Sequence, residues 1–249
     1  MPTHKPCAVV PVYNHAHTVA SVAHRLHAQD LDIILIDDGS APECAGVLDQ
    51  LALTPRTCLL RRRSNGGKGA AVLDGLREAA RRGYTHALQI DADGQHAVED
   101  VARFVELSSA HPDALIGGAP VYGRDAPRAR LYGRWLTRIW VWINTLSLDI
   151  PDAMCGFRLY PLAATIPVIE HAPIAKRMDF DISIIVRLHW QGVPMVWVPT
   201  RVAYPENGIS HFDALRDNLR ISKEHARLFL GMLLRAPMLL WRRATRKTA

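Results

Sequence analysis

The stretch LQIDADGQH, residues 88–96, joins an apolar run to two aspartates that stand one residue apart. Asp91, Asp93 and Gln95 follow the run at alternate positions. Neighbouring carboxylates disfavour each other's ionisation unless a cation lies between them. Mg²⁺ binds one or two carboxylates together with phosphate oxygens of a substrate, whereas Asp and Gly are also common in turns. The stretch alone is therefore compatible with a metal site and with a polar turn.

Short apolar runs alternate with helical patterns on both sides of this stretch. Strands are predicted at residues 8–12, 33–36, 57–60, 87–90, 114–118 and 193–198, and helices at residues 18–28, 68–82, 101–108, 130–146 and 178–190. Strands that are apolar on both faces and alternate with helices form βαβ units, so we predict an α/β fold with a mostly parallel sheet. Residues 149–161 are predicted to be a loop that runs into a short strand, and residues 213–241 to be one or two amphipathic helices, broken near Pro237.

Polar residues follow three of these strands. They form the segments PVYN (11–14), DDGS (37–40) and DADGQ (91–95). Ligands of parallel sheets bind beyond the carboxyl ends of the strands, so the three segments predict one ligand site. Asp37 and Asp38 can accept hydrogen bonds from a base N–H or from ribose hydroxyls, and a plain turn is the alternative.

Two further segments contain cations that are candidates for phosphate binding. The segment NGGKGAA (65–71) lacks the spacing of a P-loop, but its Lys68 could help to hold a phosphate at a helix N-terminus. The segment CGFRLY (155–160) contains Arg158, and an arginine in an apolar setting needs a carboxylate or phosphate partner. A structural pair with Asp152 is the alternative for Arg158.

Charge divides the chain into a predicted body, residues 1–212, and a basic helical tail, residues 213–249. The tail holds nine Lys/Arg and three Asp/Glu, which accounts for the net charge of +6 over 249 residues. Its apolar residues Leu228, Phe229, Met232 and Leu233, with flanking arginines, could lie in a membrane interface. Packing on the core or on a second subunit is the alternative.

The sequence shows no signal peptide, no run of the ~20 apolar residues that a spanning helix needs, and no CxxC pair. We therefore expect a cytoplasmic protein with reduced thiols, with contact at the inner face of the membrane as an option for the tail. A basic nucleic-acid-binding module is disfavoured because the body is neutral. A sugar nucleotidyltransferase should have a Gly-rich loop with Arg and Lys after the first strand, where PVYNHAHTVASVAHR (11–25) stands instead.

Taken together, the motifs resemble those of the family-2 glycosyltransferases, which have the GT-A fold, over residues 7 to about 212. They are VVPVYN, ILIDDGS, NGGKGAAVLDGL, LQIDADGQH, CGFRLYP and MDFDISIIVRLHWQGVPMVWVP, and their order and spacing make the resemblance specific. DADGQH followed by GFRLY is most similar to the polyprenyl-phosphate sugar synthases, of the dolichyl-phosphate mannose and glucose synthase type. A weaker similarity is to glycosyltransferases encoded beside aryl-polyene pigment pathways.

The resemblance implies an inverting transferase with a UDP- or GDP-sugar donor and a lipid-linked or small-molecule acceptor. It places Mg²⁺ or Mn²⁺ on Asp91, Asp93 and Gln95. The nucleoside would lie along Pro11, Tyr13, Asp37 and Asp38, and Arg124 and Arg158 would be candidates for binding phosphates of the donor or the acceptor.

The chain also departs from the family pattern. His15 stands where the family usually has Glu, Ser183 replaces another Glu, and the later loop offers His211 in place of Lys or Arg. A hydroxyl acceptor would need a general base, for which Asp181 and Asp152 are the candidates, whereas a lipid phosphate is already an anion and needs none.

Overall fold

A computed structural model of the chain describes residues 3–122, 128–203 and 213–246. Its described part contains seven strands: β1 Pro6–Val12, β2 Asp32–Asp37, β3 Thr57–Arg61, β4 His86–Gln89, β5 Leu115–Val121, β6 Arg158–Pro161 and β7 Met195–Arg201. It also contains eight α-helices: α1 Ala16–Ala28, α2 Pro42–Ala52, α3 Lys68–Arg81, α4 Val101–Ala110, α5 Arg128–Thr145, α6 Leu162–His171, α7 Phe180–Gln191 and α8 Ala214–Arg246.

The strands form one sheet in the order β3-β2-β1-β4-β6-β5-β7. β1 pairs in parallel with β2 and β4, β2 with β3, and β5 with β7, whereas β6 runs antiparallel to both of its neighbours. The predicted α/β fold with a mostly parallel sheet is therefore confirmed.

Helices cover both faces of the sheet because its strands are apolar on both sides. In β1, Val10 packs in a cluster with α1, α2 and α4, and Val9 packs in a second cluster with α3, α6 and α7. This sandwich fixes the carboxyl ends of β1, β2 and β4 side by side.

Helix α7 is buried along nearly its whole length because α5 and α8 lie over it. Leu228 and Met232 of α8 are buried in the cluster that joins these three helices. The predicted membrane contact is therefore wrong for Leu228 and Met232. These two residues pack on the core, which was the alternative. Leu233, from the same set, is 52% exposed.

Helix α8 continues through Pro237, where the sequence predicted a break. Proline removes one backbone hydrogen bond, to the carbonyl four residues earlier. That carbonyl belongs to Leu233, and both Leu233 and Pro237 are exposed, so water can take the place of the lost bond. Within the described residues, no helix is long and apolar enough to cross a membrane.

Candidate active site

A cavity of about 950 Å³ lies at the carboxyl ends of β1, β2 and β4. The structure brings most of the predicted site residues together there: Pro11, Tyr13, Asp38, Lys68, Asp91, Asp93, Gln95 and Asp181 line the cavity. They come from loops far apart in the chain, and the parallel pairing of the three strands sets them side by side. We call this space the main cavity.

Lys68, in the first turn of α3, bridges two carboxylates of the main cavity. Its Nζ lies 2.8 Å from Asp91 Oδ2 and 3.1 Å from Asp181 Oδ2. Burial alone would lower the pKa of Lys68, but Asp181 and Asp91 hold it above its usual value. Burial would likewise raise the pKa of Asp91, yet Lys68 and His96 hold it well below its usual range. The site is thus a charged triad in which the ammonium of Lys68 lies between the carboxyl groups of Asp91 and Asp181.

A buried network beneath this triad fixes Asp181. Gln89 Nε2 donates to Asp181 Oδ1 at 3.2 Å, and Gln89 Oε1 accepts from the hydroxyl of Tyr160 at 2.9 Å. Arg158 is fully buried and donates to the carbonyl oxygens of Ala153 and Asp181, both at 2.7 Å. Since solvent does not reach Arg158, this placement corrects its predicted contact with a donor or acceptor phosphate. Its alternative pair with Asp152 is also absent, because Asp152 pairs instead with Arg134.

Asp37, the last residue of β2, and Asp38, which follows the strand, are both bound by the protein itself. Asp37 accepts from the backbone N–H of Ser40 and pairs with Arg61 at 2.9 Å. Asp38 accepts from the backbone N–H groups of Gly66 and Gly67. Asp37 is absent from the described lining of the main cavity, whereas Asp38 is part of it. Asp38 therefore fixes the glycine loop before α3 and also lines the main cavity.

The loop after β4 holds its polar groups in place through short-range contacts. Asp93 Oδ1 accepts from the backbone N–H of Gln95 at 3.0 Å, and Thr18 donates to the carbonyl of Ala92 at 2.6 Å. Asp91 Oδ1 is buried and has no hydrogen-bond partner among the described residues. A divalent ion fits this oxygen-rich corner.

Protein carboxylates alone do not complete a metal site here. Within the described part of the chain, no three His, Cys, Asp or Glu side chains form a group that could hold an ion. A site that uses Asp93, the amide oxygen of Gln95 and oxygens of a bound diphosphate is the kind that Mg²⁺ and Mn²⁺ accept.

A second cavity, of about 660 Å³, adjoins the main cavity. Arg134 of α5 lines both cavities and pairs with Asp152 at 2.7 Å. Asp152 also accepts from the backbone N–H groups of Met154 and Cys155, both at 2.8 Å. Tyr132 and Trp135 line the same space. We call it the apolar cavity.

Several cationic side chains around the main cavity were not predicted from the sequence. They are Arg134 of α5, Arg177 before α7, and Arg216 and Arg220 of α8. The polar segment DALRDNLR (213–220) at the start of the tail was a usable signal, since it interrupts the apolar pattern of the helix. Two predicted donor contacts, Arg124 and His211, lie outside the described residues.

A mostly parallel sheet with acidic strand ends over one cavity is the architecture of the GT-A glycosyltransferases. Residues 7–164 match the model of the family described as Glycosyl transferase family 2. The chain belongs to this family and is a glycosyltransferase, so the sugar nucleotidyltransferase alternative is wrong.

Relatives of this chain include enzymes named for lipid phosphate acceptors. The polyprenol monophosphomannose synthase of Mycolicibacterium smegmatis is 30% identical over 84% of this chain and 81% of its own length. The undecaprenyl-phosphate mannosyltransferase of Micrococcus luteus is 28% identical over 81% and 85%. The fold also matches glucosyl-3-phosphoglycerate synthase of Mycobacterium tuberculosis, solved with Mn²⁺, UDP-glucose and phosphoglyceric acid. That match has a TM-score of 0.65 and 16% identity over 92% of this chain and 80% of the other.

Proposed function

We propose that this glycosyltransferase moves a sugar, with inversion, from a nucleotide-sugar donor to a lipid phosphate, using Mg²⁺ or Mn²⁺. The acceptor's phosphate oxygen forms a bond to the anomeric carbon while the bond from that carbon to the nucleoside diphosphate breaks. The electron pair of the broken bond leaves with the diphosphate. The names of the relatives support a lipid phosphate as acceptor.

The observation that carries this proposal is that the two cavities meet at Arg134, which lines both of them. The main cavity offers acidic strand ends for a metal-bound diphosphate, while the apolar cavity combines aromatic side chains with Arg134 and Arg138. Arg138 Nε is buried and has no hydrogen-bond partner in the described part of the chain. A guanidinium with an unmatched Nε–H, beside an apolar lining, suits a phosphate attached to a hydrocarbon chain.

The state of the two candidate bases also favours a phosphate acceptor. A general base must be within reach of the acceptor's proton and free to accept it. Asp152 is bound by Arg134 and by two backbone N–H groups, and Asp181 is bound by Lys68 and Gln89. An anionic acceptor avoids the need for either residue. We assign Asp152 to orienting Arg134, and Asp181 to orienting Lys68.

The donor is assigned to the main cavity. Pro11, Tyr13 and Asp38 line the side proposed for the nucleoside, and Arg124 and His211 remain proposed donor contacts. Asp93 and Gln95 would hold the ion, with Asp91 beside them. When bound, the ion would stabilise the negative charge that develops on the leaving diphosphate. Arg177 and Arg216 add positive charge around the same space.

A thermal-shift screen tests the donor assignment. UDP- and GDP-sugars are compared with Mn²⁺, each ligand alone and in combination. At a donor concentration of 100 Kd, the true donor with Mn²⁺ should raise Tm by roughly 5–10 °C. Mn²⁺ alone or the sugar alone should do much less. Release of nucleoside diphosphate in the presence of polyprenyl phosphate then identifies the reaction, and its absence with every donor that binds would overturn the acceptor assignment.

The outward side of α8 suggests how such an acceptor is reached. Successive helical residues turn by about 100°, so Leu230, Leu233 and Leu234 point away from the buried Leu228 and Met232. Although α8 already buries one apolar side against the core, it presents a second apolar side to solvent.

Helix α5 has the same arrangement. Tyr132, Trp135 and Leu136 are exposed, on the side of α5 opposite its buried Val141. Since α5 and α8 pack together over α7, we define the outer face as these three residues with Leu230, Leu233 and Leu234 of α8. Tyr132 and Trp135 also line the apolar cavity, which therefore opens beside this face.

The charge of α8 favours an anionic lipid surface as the partner of the outer face. The helix holds eight Lys/Arg and two Asp/Glu. The two acids are buried in ion pairs, Asp217 with Arg220, and Glu224 with Arg187 and Arg227. The remaining positive charge is available to attract anionic headgroups. We therefore place the outer face against the membrane surface, with the apolar cavity open to the acceptor lipid.

Co-sedimentation with vesicles of anionic phosphatidylglycerol tests this placement. Leu234→Ser should weaken binding by at least about ten-fold, because one buried leucine contributes roughly 1.5–3 kcal/mol. Leu53→Ser is the matched control, since Leu234 is 84% exposed and Leu53, at the end of α2, is 77% exposed. Equal binding by the two variants, or equal binding of the unaltered protein to neutral vesicles, would contradict the placement.

A further inference from the structure

Lys68 occupies a place in the main cavity where a cation is needed. Its Nζ contacts Asp91 Oδ2 and Asp181 Oδ2 at 2.8 and 3.1 Å, and its side chain is 16% exposed. Gln89, which accepts a hydrogen bond from Tyr160, donates to Asp181 from below, so one of the two carboxylates is fixed in position. The lysine is therefore an internal counter-cation for two acidic groups of the site.

The backbone beside the lysine leaves room for this arrangement. A Cβ at Gly156 would lie 2.5 Å from Lys68 Nζ, 2.9 Å from Gln89 Nε2 and 3.0 Å from Asp91 Oδ2. Any other residue at position 156 would push the ammonium away from the carboxylates. Because Gly156 has no Cβ, its backbone can lie close to the charged triad.

This arrangement bears on how the site takes a divalent ion. Asp91 already shares Oδ2 with Lys68 and has His96 Nε2 at 3.7 Å. An ion bound to Asp91 would lie close to the ammonium, and like charges repel strongly in a partly buried site. Without the donor, Asp93 and Gln95 remain, which is one carboxylate and one amide. A donor diphosphate adds the oxygens that such a site lacks.

We propose that Lys68 keeps Asp91 from binding a divalent ion in the donor-free enzyme, so that the ion is held only together with the donor diphosphate. This inference rests on the proposed function for the identity of the donor. Its consequence is that Lys68 sets the ion affinity of the empty site and orders the binding of ion and donor.

Mn²⁺ binding, measured from the electron paramagnetic resonance signal of free Mn²⁺, tests the role of Lys68. Without nucleotide, Lys68→Met should bind Mn²⁺ at least about ten-fold more tightly than the unaltered protein, because Asp91 and Asp181 lose their shared cation. Lys68→Arg retains the charge and should keep the weak affinity. Lys176→Met removes an exposed lysine and serves as the control for net charge. Thermal unfolding confirms that each variant is folded.

The second arm adds UDP or GDP. Nucleotide should raise the Mn²⁺ affinity of the unaltered protein by about ten-fold or more and that of Lys68→Met by less. Unchanged, weaker or undetectable Mn²⁺ binding by folded Lys68→Met without nucleotide would overturn the role of Lys68. If neither nucleotide changes the Mn²⁺ affinity of either protein, the result would instead count against the proposed donor. The comparison without nucleotide would still test the role of Lys68.

Discussion

Asp93→Ala is expected to reduce sugar transfer by about a thousand-fold. One unit-charge pair at about 4 Å is worth about 4 kcal/mol at an effective dielectric of 20, and each 1.36 kcal/mol changes a rate about ten-fold. Lys68 binds Asp91 but not Asp93, so Asp93 is the carboxylate that remains available to the proposed ion. Its Oδ1 also accepts a hydrogen bond from the backbone N–H of Gln95 and so orients that residue. Alanine removes both the charge and this orientation.

Asp93→Asn separates the two effects. Its amide oxygen can still accept from the N–H of Gln95, but it carries no charge. If the charge dominates, both variants should lose most of their turnover and also the thermal stabilisation by Mn²⁺ with donor. Asp113→Ala, at an exposed position before β5, is the control and should retain activity. Near-normal turnover of Asp93→Ala would remove Asp93 from the ion site.

The sheet could be predicted from the sequence because its strands are short apolar runs that end in polar segments. Helix α2 was missed because Cys44 and Leu48 are its only buried residues, so its apolar period is faint. Helix α6 was missed because it contains Pro167, which normally interrupts a helix. A crossover between parallel β2 and β3 required a connection such as α2 in any case. The antiparallel direction of β6 has no local sequence signal.

The location of the site was predicted from the sequence, but the ion pairs and hydrogen bonds between its side chains were not. The three polar strand ends meet as expected, because strand order and direction alone bring them together. The partners of Lys68, Arg158 and Asp152 were not predictable. Lys68 reaches Asp91 and Asp181 across the fold, and Asp152 pairs with Arg134 on α5. Such choices depend on which side chains share a buried space, and spacing along the chain does not encode that.

The tail shows the same limit for packing. Its leucines recur with a helical period on two sides, and the period does not say which side faces the core. The two acidic residues of α8 show which side faces the core, because Asp217 and Glu224 are buried there with arginine partners. The predicted boundary at residue 213 remains a proposal, and the Glu224 pair offers a direct test of it.

Glu224→Leu is expected to lower the free energy of unfolding by about 3–5 kcal/mol, because it leaves the buried charge of Arg187 without a partner. Arg187 Nη1 lies 2.7 Å from Glu224 Oε1, and the two residues are 6% and 2% exposed. The hydrogen bonds from Arg187 to Ser183 stay, but they supply no negative charge. Urea unfolding followed by circular dichroism measures the loss.

The double variant Arg187→Leu with Glu224→Leu should recover most of this stability, since apolar side chains often replace a buried ion pair with little net cost. Glu170→Leu is the matched control, because Glu170 pairs with Arg77 at the surface at 2.6 Å and should cost less than about 1 kcal/mol. A small loss for Glu224→Leu, equal to that of the control, would show that its charge is not buried. If the large loss appears within one unfolding transition, α8 unfolds together with the sheet, and residues 213–246 are part of the catalytic domain. A separate early transition of α8 would instead support the boundary at residue 213.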